Sequence, residues 1–259
     1  MTGIDRYARV LNLFTVRNSS WTVQGISEQL DTAASTVYRT VRELVASGFL
    51  ESTVDSHYRL GPTFLQFERI ISATDPLVRS GAVFLETLVE HSGIPCSVVL
   101  ARLHGEKVMC VAESRSHSFD VKTSYERGRP MPILKGATSR AILASLEARK
   151  RKKLLKKISA VENFDNNKLT EELDKIRKRS LCISQGEVDK GMVGLASPIR
   201  NKSMGIDASL SFILEQKHLN DVVQVRLVSL LSTHSRLIEN YMDDAYKDIY
   251  QRSRSAVSY

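Results

Sequence analysis

Only three cysteines occur in 259 residues, Cys96, Cys110 and Cys182. An odd number at wide spacing excludes a disulfide framework, and the absence of a CxxC pair or Cys/His cluster leaves no zinc pattern. Reduced, mostly buried thiols are the expectation, with a thiol-based redox switch at Cys96 or Cys110 as the alternative. No apolar run approaches the ~18 residues of a membrane-spanning helix. The opening MTGIDRYARV holds no apolar signal-peptide core, so a cytoplasmic location is expected. The histidines (57, 91, 104, 117, 218 and 234) are scattered. HExxH, GxSxG, P-loop and dinucleotide fingerprints are all missing, so neither an enzyme nor a bound metal or cofactor is expected.

What is present is a soluble-type balance of 42% apolar and 25% charged residues, which argues against general disorder. The length suits two domains better than one. Thirty-seven basic against 29 acidic residues give a net charge of +8, a balance that suits a polyanionic partner.

Apolar spacing of three and four predicts a first helix over 4–17. The stretch TVQGISEQLDTAASTVYRTVRELVASGFLESTVDSHYRL (22–60) then reads as helix, turn, helix and β-hairpin. Thr22 suits an N-cap. Val37, Val41, Leu44 and Val45 line one face of a helix over 34–47, and Gly48 stops it. Phe49-Leu50 and 57–60 pair around a tip at Asp55-Ser56. This is the layout of a winged helix-turn-helix, whose second helix enters the major groove N-terminal end first. Ala33 and Ala34 allow close approach, Ser35 and Thr36 offer hydroxyls, and Tyr38, Arg39 and Arg42 lie beyond them. Either arginine can pair with guanine or clamp a phosphate. His57 and Arg59 on the hairpin, with Thr22, complete the DNA-facing set.

A connecting helix is expected over 63–73, and Asp75-Pro76 starts another over 77–91. Strands are expected at CSVVLARL, KVMCVAES, VKTSY (121–125), LASPIR and IDASLSFI. Helices are expected at 137–146, 169–180 and 220–246, and RKRKKLLKK (149–157) reads as a solvated helical face. The fold class is α+β: a winged helix-turn-helix (1–62), a linker helix (63–75), a sensor-type domain around an antiparallel sheet (76–250) and a frayed tail (251–259).

The blocks ISEQLDTAASTVYRTVRELVASGFL with YRLG, RGRPMPILKGATSRAILASL, GEVDKGMVGLASPIR and IDASLSFI occur in order. Through them the chain resembles the IclR family of bacterial transcriptional regulators over about residues 4–245. The resemblance implies a homodimer or dimer of dimers, a GAF-like effector-binding domain and double-stranded operator DNA as partner. It further implies repression or activation of a catabolic operon, switched by a small organic acid or aromatic metabolite; a repressor is the reading taken.

Residues 136–140 open a helix after an extended segment, where free amides and the helix dipole favour an anion. On the residues alone this is either a well-capped structural helix or an anion cradle; the resemblance, which puts the family's pocket against the same turn, makes Gly136, Ala137, Thr138 and Ser139 the expected effector cradle. It turns Ser209 and Ser211 toward that pocket and matches Gly194 and Ser184 to ligand-side positions. Met109, Val121 and Met131 are candidates for an apolar lining. Several positions depart from the family: Ser184 stands for aspartate, Ser139 for glycine, Gly136 for threonine, Leu134 for histidine and Ala34 for a basic residue. Fewer charges in the pocket favour a larger, aromatic-like effector.

Overall fold

Val10, Ile26, Val37, Val41, Leu44 and Leu50 turn inward together and form the core of residues 1–74, the first of two units in the computed structural model. Each such burial contributes ~1.5–3 kcal/mol. Residues 3–160 and 164–256 are described. Helices α1 (Gly3–Leu11), α2 (Val23–Leu30) and α3 (Ala34–Ala46) pack around that core. Thr22 caps α2, its Oγ1 accepting from Gly25 N at 3.1 Å. Beside them β1 (Ser20–Thr22), β2 (Leu50–Ser52) and β3 (His57–Leu60) form an antiparallel sheet in the order β1-β3-β2. The turn between β2 and β3 has Asp55 and Ser56 in the left-handed region. Helix α4 (Thr63–Thr74) is fastened to this unit by Phe64 and Phe67, whose rings stand 5.5 and 5.9 Å from that of Phe49.

The second unit, residues 75–259, is built on a six-stranded antiparallel sheet. Its order is β6 (Pro130–Pro132), β5 (Lys107–Arg115), β4 (Ser97–His104), β9 (Ile206–Glu215), β8 (Met192–Asn201) and β7 (Cys182–Gln185). Helices α7 (Gly136–Ser145), α8 (Ala148–Ile158) and α9 (Asn166–Arg179) share a core with one face. Helices α5 (Pro76–Gly81), α6 (Leu85–Ser92) and α10 (Asp221–Ala256) share a core with the other. Strand β9 is therefore buried on both sides: Leu210, Phe212 and Leu214 face α10, while Ile213 faces α7. Asp75 begins the unit, accepting from the amides of Leu77 and Val78 and pairing with Arg102 at 2.6 Å.

Strand β7 covers β8 only as far as Ala196, paired with Cys182. Beyond it the outer edge of β8 is blunted. Pro198 has no N–H to offer, and the amide of Arg200 donates to Glu239 of α10 at 2.8 Å.

Several sequence expectations change. The first helix ends at Leu11 rather than 17, because the Leu13 carbonyl accepts from the Trp21 indole and Thr15 and Asn18 close a separate turn. The 77–91 helix breaks at 82–84, next to Gly81, where a Cβ would stand 2.6 Å from Leu100. Residues 121–125 form no strand: Ser124 gives its amide to Asp189, Tyr125 is drawn into the core, and the ladder forms at 130–132 instead. Strand β7 had no counterpart in the sequence reading. The expected tail overlaps α10, which runs to Ala256; 257–259 lie outside the described residues.

Gly61 is the tightest backbone contact of the wing. A Cβ there would stand 2.2 Å from the Gly48 carbonyl oxygen. Gly61→Ala is expected to cost ~1–3 kcal/mol, as overpacking does, read as a lower urea midpoint at unchanged slope.

Candidate functional site

Helix α3 divides its residues cleanly. Val37, Thr40, Val41 and Leu44 are buried, while Ala33, Ala34, Ser35, Tyr38, Arg39 and Arg42 are exposed and Thr36 is half-buried. The Thr40 hydroxyl donates to the Thr36 carbonyl at 2.9 Å, so a polar residue sits in the core without an orphan. Arg39 and Arg42 make no hydrogen bond or ion pair among the described residues. Glu43, the acid of this helix, is held by Arg6 at 3.0 Å and by the Tyr7 hydroxyl. That leaves the surface net positive, as phosphate contact requires.

Three of the expected DNA-facing side chains are otherwise engaged. Thr22 Oγ1 accepts from Gly25 N in the α2 cap, which fixes its orientation and leaves only its O–H to donate. Arg59 bridges the hairpin to Glu51 at 2.5 Å, which offsets its charge, and His57 Nδ1 lies 3.0 Å from the Asp55 carbonyl. Ser35, Tyr38, Arg39 and Arg42 remain as the available reading face.

At the start of α7 the structure gathers Gly136, Ala137, Thr138, Ser184 and Gly194 around one pocket, together with Tyr125, Glu187, Val188 and Asp189. The pocket is small, about 20 Å³, room for about one water. Two of its amides are already satisfied. Ala137 N donates to Ser184 Oγ at 2.8 Å and Gly136 N to Glu187 Oε2 at 3.2 Å. Glu187 Oε1 also accepts from Arg140 at 3.1 Å, and Arg140 reaches Glu172 at 2.6 Å. The protein's own carboxylate thus occupies the anion position at the helix end. The segment carrying it lies between Gly186 and Gly191, both at positive φ. Asp189 latches that segment by accepting from Ser124 N at 2.8 Å and Ser124 Oγ at 2.6 Å.

Ser139 lies behind the pocket, its hydroxyl 2.9 Å from that of Tyr125, whose phenol burial pushes up. Ser209 donates to the Thr138 carbonyl at 3.0 Å and so braces α7 from below. The Ser211 hydroxyl is buried with no partner among the described residues. The apolar lining expected from Met109, Val121 and Met131 is not assembled. Alternation puts Met109 on the sheet face opposite Val108 and Cys110, and Val121 and Met131 pack into the core away from the pocket. The sequence reading did not single out Glu187, Asp189 or Tyr125, although GEVD carried two of them.

The thiols lie outside both sites and are buried. Burial pushes Cys110 up to about 12, with Glu113 adding to it, and pushes Cys182 up to about 12. Burial raises Cys96 as well. Thiols held this high stay protonated near neutral pH and are poor nucleophiles, so the redox alternative finds no support.

A winged helix with unpaired arginines, followed by a separate sensor-type domain, defines a DNA-binding transcriptional regulator. Residues 3–53 match the IclR helix-turn-helix domain, and residues 71–240 match the bacterial transcriptional regulator IclR C-terminal domain. The chain belongs to the IclR family, whose members are regulators and not enzymes. It is 27% identical over 204 residues to the HTH-type transcriptional regulator BhcR of Paracoccus denitrificans, covering 76% of this chain and 71% of that one. Its fold is that of an IclR transcriptional regulator from Alicyclobacillus acidocaldarius (TM-score 0.77, 20% identity, 92% and 98% of the two chains covered). It is also that of an IclR homologue from Microbacterium hydrocarbonoxydans solved with 4-hydroxybenzoate (TM-score 0.76, 20% identity, 94% and 100% covered). No helix among the described residues is long and apolar enough to cross a membrane.

If burial governs the thiols, the folded protein resists iodoacetamide at neutral pH and takes up three labels only after denaturation. Rapid labelling of native Cys96 or Cys110, seen by mass spectrometry, would restore the redox reading.

Proposed function

We propose that the chain is a homodimeric or dimer-of-dimers regulator that represses a catabolic operon until a small carboxylate or aromatic acid binds at the start of α7. The observation that supports this reading is that the Glu187 carboxylate and the Ser184 hydroxyl already accept from the Gly136 and Ala137 amides at the start of α7. An incoming carboxylate would take the place of Glu187 as the 186–191 segment swings away. The homologue solved with 4-hydroxybenzoate favours an aromatic acid. The pairing surface is proposed on α4, where Leu65, Phe67, Ile70 and Ile71 stand exposed on one short helix. Two copies would bring two α3 helices to the half-sites of one operator.

Arg39→Ala and Arg42→Ala are each expected to weaken operator binding by ~1–3 kcal/mol and to reduce the salt slope by about one where the lost contact is a phosphate. Arg59→Ala, which breaks a bond within the wing, should weaken it less. Gel shifts unchanged in both α3 variants would remove α3 from the interface. Deleting the gene should raise transcription of the operon it binds; a fall would make the protein an activator.

For the pocket, Asp189→Ala removes both latch bonds to Ser124. The variant is expected to melt earlier when unliganded yet bind 4-hydroxybenzoate or a related acid more tightly, because less of the affinity is spent on opening. A library of aromatic and aliphatic acids that moves the melting temperature of neither protein would count against a ligand site here.

A further inference from the structure

A second cleft, of about 280 Å³, lies where the outer edge of β8 loses its neighbour. Its walls are the ends of α7 and α9 and the middle of α10, all within the second unit. That is room for several waters, or for one small molecule in their place. It shares no residue with the pocket at the start of α7.

The lining is polar in a specific way. Arg177 and Arg236 make no ion pair among the described residues, although the Glu239 carboxylate lines the same cleft and interacts electrostatically with Arg236; Arg200 is committed to Glu147 at 2.9 Å. Ser235 is only 3% exposed, and its hydroxyl has no hydrogen-bond partner among the described residues. Ser197, also buried, lines the same space, and its hydroxyl makes no hydrogen bond among them. Buried hydroxyls are normally satisfied, so an orphan beside a cleft marks a place for an occupant with its own donors and acceptors. The edge cannot take a peptide strand: Pro198 lacks an N–H and the Arg200 amide is held by Glu239, so the main chain has little to donate there. Few apolar groups line the space, which disfavours an aromatic occupant.

We infer that this cleft is a second small-molecule site, for an anion that also carries hydroxyl groups, with Arg177 and Arg236 meeting the charge and Ser197 and Ser235 the hydroxyls. A phosphate ester of a polyol and a hydroxy-carboxylate share that chemistry. The inference is independent of the effector reading, because the two pockets share no lining residue.

Titration of the full-length protein with glycerol 3-phosphate, gluconate and glycerol, followed by calorimetry and melting temperature, tests it. Glycerol 3-phosphate or gluconate is expected to bind once per chain and raise the Tm, and the one that binds identifies the acid group; glycerol should do neither. The exposed-residue double variant Arg177→Ala/Arg236→Ala should weaken binding at least about tenfold, and Ser235→Val should weaken it too, while Asp189→Ala leaves it unchanged. The site is refuted if neither anion binds, if glycerol binds as well as the anions, or if binding survives in the double arginine variant.

Discussion

Burying the start of a helix forces its free amides to find acceptors inside the protein, and the second unit is organised by that demand at α7. Nearly every residue of α7 is buried, so water cannot serve its first turn. Ser184 on β7 and Glu187 just after it supply the oxygens. Glu187 in turn requires a cation, which Arg140 provides one turn along the same helix. Ser209 from β9 satisfies the Thr138 carbonyl. Strand β7 is only four residues long, yet it carries one of these acceptors to α7.

That solution also bears on the proposed effector site. The Glu187 carboxylate supplies from within the chain the kind of oxygen that an external acid would bring, which is why the proposed effector is placed there. The segment that carries Glu187 has glycines at positive φ at both ends and is tied to Ser124 through Asp189. The sheet and the two apolar cores around it hold the rest of the frame in place.

The winged helix follows a simpler rule. A narrow apolar stripe on α3 buys its position against α1, α2 and β2, leaving the other side free of structural duty. Pairing of Glu43 with Arg6 and Tyr7 removes the one negative charge that would repel a phosphate from this face. The wing arginine that looks equally suited by sequence, Arg59, is instead spent on the hairpin.

The local parts of this protein were written in short sequence spans. Period-3.6 apolar spacing, the Thr22 cap and the Gly48 stop are decided by neighbours a turn away, so the sequence determined the helix-turn-helix, its hairpin and the separation of exposed from buried residues on α3. Alternation in IDASLSFI likewise fixed which residues of β9 share a face. What depended on partners far along the chain was decided only by the tertiary structure. The 121–125 segment became a covered loop because Asp189 and Ser139, 65 and 14 residues away from their partners, took its polar groups. Met109 left the expected lining because strand pairing set its face. Glu187 gained its place because β7 and β8 carry it to α7, 51 residues from Gly136 in sequence. Such contacts arise from topology, which brings together groups whose spacing along the chain carries no period and no cap to announce them.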